Sequence, residues 1–161
     1  MDQETLELVA GLHGMFTGKG WSLSAAESCT GGLLSHYITA QAGASLFFRG
    51  AAVTYSIESK KRVLGVNPAI LDEYGAVSAE TAMEMAWRAC EVFNTDFAVS
   101  TTGNLGPDVL EGKPRGLVYI GVSAMGDVFF RRVELSGGRL ENKRQAAVLA
   151  LKFLIERAGL L

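Results

Sequence analysis

Cysteine, histidine, proline and long apolar runs are all scarce in this 161-residue chain, and each shortage closes a class of function. The two cysteines, Cys29 and Cys90, show no metal-ligand spacing and are read as reduced thiols rather than as a disulfide framework. Aspartates and glutamates do not cluster as metal ligands, so neither a metal nor any other cofactor is expected. Charge of one sign is missing too: 15 Lys and Arg against 17 Asp and Glu leave a net charge of −2. Such a chain has no long-range field for a polyanion, which excludes nucleic acid and an anionic membrane as main partners. No apolar run approaches the ~20 residues of a membrane-spanning helix, and the opening Met-Asp-Gln-Glu lacks the basic start of a signal peptide. A cytoplasmic protein is expected. With three prolines against 19 glycines and no linker, repeat or low-complexity segment, residues 1–161 read as one domain whose glycines serve turns.

Periodicity supplies the architecture. Leu8, Val9, Leu12, Met15 and Phe16 recur at helical spacing and predict a helix over 4–17, closed by Gly18-Lys19-Gly20, with His13 exposed or half-buried. Trp21, Leu23 and Ala25 alternate as a strand, and Leu33, Leu34 and Ile38 return to helical spacing. Residues 46–55 predict a strand with a bulge at Gly50, Ser56 caps a short helix over 57–64, and Ser78 caps a longer one with Ala82, Met85, Ala86, Ala89 and Phe93 inward. Cys90 belongs with that core. A buried strand over 97–102, a hairpin of 117–122 and 128–135 turning at Gly126-Asp127, and a helix over 140–157 complete the chain. Helices interleaved with strands imply an α/β fold: a three-layer α/β/α sandwich around a mixed, mostly parallel sheet with one antiparallel hairpin.

In such a fold ligands gather beyond the carboxyl ends of the strands. The loops at 28–32, 55–60 and 102–107 qualify, and they offer hydroxyls, amines and glycine N–H groups. Ser28-Cys29-Thr30-Gly31-Gly32 sits where a strand breaks into a helix, and the unpaired N–H groups there suit an anion or a developing oxyanion. A serine nucleophile needs a base, and the two histidines, His13 and His36, are poorly placed, which leaves lysine. Lys60 follows a strand end beside Lys61 and Arg62, either of which is a cation able to lower its pKa; the alternative is that all three form a solvated face. Cys29 is the rival nucleophile, and because successive extended residues point to opposite faces, only one of Ser28 and Cys29 faces the cleft. A phosphate-binding turn without chemistry is the third reading of this segment.

Four segments together carry a resemblance: Ala-Glu-Ser-Cys-Thr-Gly-Gly at 26–32, Val-Thr-Tyr-Ser-Ile-Glu-Ser-Lys at 53–60, Gly-Ala-Val-Ser at 75–78 and Gly-Asn-Leu-Gly-Pro-Asp at 103–108. The chain resembles the CinA C-terminal domain family, the nicotinamide-nucleotide amidases also called PncC. The resemblance implies hydrolysis of the carboxamide of nicotinamide mononucleotide by a serine–lysine pair, with Ser28 as nucleophile, Lys60 as base and Tyr55 in the tyrosine position of the second motif. It also implies substrate contacts from Thr30, Gly31, Gly32, Thr102, Gly103 and Gly106, with Arg139 and Arg144 as basic positions for the phosphate. A homo-oligomer acting on a small nucleotide is the implied assembly. The chain departs from the family pattern at Ile57, where asparagine is usual, at Ser59, and at the bulky Leu105, Val109 and Leu110 of the glycine loop. Those departures keep open a relative that binds a nucleotide without turning it over. An interaction protein tied to DNA uptake or damage is a further alternative, one that the charge does not favour.

Overall fold

Helix α1 (Gln3–Lys19) starts where the Asp2 carboxylate accepts the Thr5 N–H at 2.9 Å and the Thr5 hydroxyl at 2.6 Å, and it ends where Gly20 turns left-handed at φ 69°. Its inward face of Val9, Leu12 and Phe16 is buried, and His13 with it. The expectation of an exposed or half-buried His13 is thereby corrected: its ring packs edge-on against Phe47 and its Nε2 lies 2.9 Å from the Ile38 carbonyl, because the helix meets α2 on that side.

The computed structural model describes residues 1–161. After α1 come β1 (Leu23–Glu27), α2 (Leu33–Thr39), β2 (Phe48–Val53), α3 (Ile57–Ser59), α4 (Pro68–Tyr74), α5 (Ala79–Phe93), β3 (Phe97–Gly103), β4 (Leu117–Ala124), β5 (Asp127–Glu134) and α6 (Arg139–Ala158). The strands form one sheet in the order β2-β1-β3-β4-β5, with β1 parallel to β2 and β3, and β4 antiparallel to β3 and β5. The mixed sheet matches the expected α/β class. The hairpin turns at Met125-Gly126, one residue before the expected position, with both residues at positive φ as a two-residue turn demands. The bulge falls as expected, where the β1–β2 register passes from Phe48 to Gly50. Helix α4 is an addition to the expected elements; Asn67 caps it, accepting from the Ala69 N–H, and Pro68 occupies its first turn.

Two apolar layers sandwich the sheet. On one face α1, α2 and α6 pack with Leu23, Ala25, Val99 and Ile120; on the other α4, α5 and the segment around Leu64 pack with Ala26, Ala52 and Ala98. No helix is long and apolar enough to cross a membrane. Alternation along β1 assigns each side chain to a layer: Leu23 and Ala25 point to the first and Ala26 to the second, so Glu27 and Cys29 continue the first series and Ser28 the second.

Candidate active site

β1 is the strand at which the chain's connections diverge, toward β2 on one side and β3 on the other, and the crevice beyond such a switch point is where open α/β sheets take ligands. Ser28 sits there, its N–H anchored to the Thr101 carbonyl at 3.0 Å. From the opposite flank Lys60 reaches in. Ser56 and Ser59 close a reciprocal capping box that starts α3, and the helix widens into a π-helical turn over Lys60–Leu64 before Gly65 ends it. That wider turn carries Lys60 inward while Arg62 stays at the surface in an ion pair with Glu58. Lys60 is only 1% exposed, so the solvated-face alternative does not hold for it.

The Lys60 ammonium donates to Ser28 Oγ at 2.8 Å and to the Thr54 carbonyl at 2.7 Å, and no carboxylate forms an ion pair with it. Burial lowers its pKa to about 8, against an opposing pull from Cys29 and Glu111. The cause is desolvation rather than the neighbouring cation anticipated from Lys61 and Arg62. At such a value roughly one lysine in ten is neutral at pH 7, where a free one is neutral only about once in two thousand.

Cys29 is a poor rival. Its side chain joins the core at 6% exposure, and burial pushes its thiol up to about 12. The group that a thiol nucleophile needs, the thiolate, is suppressed here.

The turn itself differs from the sequence expectation. The Glu27 carboxylate, with no solvent exposure, fills the N-terminus of α2: Oε2 accepts from the Thr30 hydroxyl (2.6 Å), Gly32 N–H (2.9 Å) and Leu34 N–H (3.1 Å), and Oε1 from the N–H and hydroxyl of Ser35 (2.8 and 2.5 Å). The Gly31 N–H bonds to the Ser28 carbonyl at 3.1 Å. Gly31 and Gly32 therefore shape the turn, at φ 54° and 96°, rather than offering N–H groups to a ligand. The N–H groups of Cys29 and Thr30 donate to no other residue of the protein.

A cavity of about 440 Å³ opens in front of Ser28, between Tyr55, the loop Gly103–Asp108 and Arg139. The loop is strapped in place. Buried Asn104 bonds through its amide to the Leu110 and Lys113 carbonyls and to the Leu110 N–H; Glu111 accepts from Ala76 and Val77 N–H, and Lys113 donates to the Tyr74 and Val77 carbonyls. Thr102, expected to meet substrate, instead spends its hydroxyl on the Ala76 carbonyl at 2.6 Å. Leu105, itself buried, and Leu110 line the cavity, so two of the bulky departures form part of its wall, while Val109 and Ile57 face solvent.

Arg139, at the start of α6, donates to the Gly106 carbonyl at 2.6 Å and to Tyr55 Oη at 2.7 Å, so Tyr55 is tied to the cavity rim rather than to Lys60. Arg144 is not brought to this cavity. It lies in another, of about 460 Å³, between α1 and α6 beside Asp2, Glu4 and Glu141. Lys143, one turn after Arg139 and unnoticed in the sequence, reaches over the nucleophile turn: its Nζ is 3.3 Å from where a Cβ on Gly31 would sit. Glu27, Asn104 and Glu111 also escape sequence reasoning. Only Glu27 carries a signal, an acid ending an otherwise uncharged strand directly before the turn. No group of three or more His, Cys, Asp or Glu side chains is placed to hold a metal ion.

The sequence profile of the CinA C-terminal domain matches residues 5–158. The chain belongs to that family. A competence-damaged protein (CinA) superfamily protein from Klebsiella pneumoniae superposes with a TM-score of 0.95 at 32% identity, covering 99% of this chain and 100% of that one. The competence/damage inducible protein CihA from Agrobacterium tumefaciens superposes at 0.92 and 36%, covering 97% and 96%. A relative from Shewanella oneidensis named nicotinamide-nucleotide amidohydrolase PncC is 42% identical over 134 residues, 83% of this chain and 32% of its own length. A putative competence-damage inducible protein from Moorella thermoacetica is 42% identical over 98% of this chain and 37% of its own. The chain thus spans about a third of the length of the curated relatives it matches.

Proposed function

We propose that this domain is an amidohydrolase that converts nicotinamide mononucleotide and water to nicotinate mononucleotide and ammonia. The observation that carries the reading is the 2.8 Å contact between a buried Lys60 without a counter-ion and Ser28 Oγ at the mouth of the cavity. Kinship with a relative named for this activity supports the choice of substrate.

In this mechanism neutral Lys60 takes the Ser28 proton as Oγ bonds to the carboxamide carbon. The carbonyl oxygen becomes an oxyanion held by the Cys29 and Thr30 N–H groups, each well-placed donor being worth roughly 3 to 4 kcal/mol. Lys60 returns the proton to the amide nitrogen, the C–N bond breaks and ammonia leaves an ester on Ser28. Water, deprotonated by Lys60, then attacks the ester and frees the carboxylate and Ser28. Cys29 stays a protonated bystander. Arg139, which forms no ion pair, and Lys143 across Gly31 supply positive charge to the phosphate, a task for which the arginine fork is well shaped. The proposed setting is a cytoplasmic homo-oligomer acting on the free nucleotide, without nucleic acid, membrane or cofactor.

The test is ammonia release from nicotinamide mononucleotide by the wild-type protein beside Ser28→Ala. Turnover that falls at least ~10³-fold in the variant is expected. An inert but folded wild type, or an active variant, would overturn the reading.

A further inference from the structure

Helix N-termini at strand-to-helix turns ordinarily lend their free N–H groups to a bound anion. Here the protein supplies its own anion, and the hydrogen bonds continue past it. The Thr30 hydroxyl gives its one proton to Glu27 Oε2, so the 2.7 Å contact between Thr30 and Thr101 must use the Thr101 proton. Thr101 in turn holds the Ser28 N–H through its carbonyl. Glu27, Thr30, Thr101 and Ser28 thus close a ring of bonds around the turn, and the two N–H groups left outside it are those of Cys29 and Thr30.

We infer that Glu27 is a positioning residue for the amidase reaction: its buried carboxylate occupies the α2 terminus and braces the Ser28–Thr30 turn, keeping the Cys29 and Thr30 N–H groups aimed at the transition-state oxyanion. The inference rests on the proposed amidase activity. It differs from a purely structural role because the oxyanion exists only during the reaction. Loosening the ring therefore lowers kcat and leaves substrate binding alone. Gln in place of Glu27 keeps the shape but turns an N–H₂ group toward a site where every neighbour is a donor.

The experiment measures kcat, KM and melting temperature for wild type, Glu27→Gln and Thr30→Val on nicotinamide mononucleotide. Folded Glu27→Gln should lose about 100-fold in kcat, the scale of one oxyanion donor, with KM within about twofold of wild type. Folded Glu27→Gln with wild-type kcat, or with KM rising in step as kcat falls, overturns the inference while leaving the amidase reading intact. Should Glu27→Gln fail to fold, Thr30→Val decides: it cuts the ring but keeps the backbone donor, and an expected fall of about tenfold in kcat at unchanged KM supports the inference, whereas an unchanged kcat overturns it. A wild type without turnover removes the amidase reading and this inference together.

Discussion

Two fully buried charged side chains flank Ser28, and the fold treats them in opposite ways. Below the turn, Glu27 meets five donors and is saturated. Above it, Lys60 meets two oxygens, neither of them charged, and loses part of its affinity for a proton. A buried charge that is fully paired holds structure, while one left short of partners is tuned toward reactivity. The contrast arises from strand alternation: residue 27 points into the layer of α2, where helix N–H groups wait, and residue 28 points into the layer from which Lys60 arrives.

Replacing either residue should break this contrast in a different currency. Lys60→Met should abolish the base and cost about 10³-fold or more in kcat while the protein stays folded, as ammonia release and thermal melting would show. Glu27→Ala should instead strand five buried or part-buried donors and destabilise the fold by about 3 kcal/mol or more in urea titration. Lysine burial also leaves a signature in pH. The folded-state value of Lys60 lies below its unfolded one, so between about pH 8 and 10.5 the unfolded chain holds its extra proton and the Lys60 contribution to stability rises with pH, opposed above about pH 9 by the Cys29 thiol, which the fold keeps protonated. That rise, about 3 kcal/mol at most, should vanish in Lys60→Met. The smallest effect is expected at Cys29, where the thiol is held protonated: Cys29→Ala should stay within about twofold of wild-type kcat, since no step uses its sulfur.

How much of this is legible in the sequence differs from one flank to the other. The strand, the turn, the helices α1, α2, α5 and α6 and the mixed sheet emerge from period and punctuation, and Ser28 stands out by its place at the turn. Apart from the resemblance, Lys60 can be named as a base only by elimination, because charge pattern groups it with the half-buried Lys61 and the exposed Arg62. What separates it is a π-helical turn that shifts one side chain inward, and no local residue type announces that. Glu27 is hidden for the opposite reason: its five partners are mostly backbone, which is the same in every sequence. Arg139 and Arg144 look alike in a basic helix start, yet the helical rotation between them puts one at the crevice and the other beside α1, with Lys143 over Gly31 instead. Helix α4 escapes notice because it buries only Leu71, so no apolar period marks it.

The central claim is that burial readies Lys60 to act as the base for Ser28, and the pH dependence of kcat/KM for nicotinamide mononucleotide tests it most directly. A base must be unprotonated, so the rate should climb from pH 6 and level off above a midpoint of about 8. A profile that is flat from pH 7 to 10, or that falls as pH rises through 8, would contradict it.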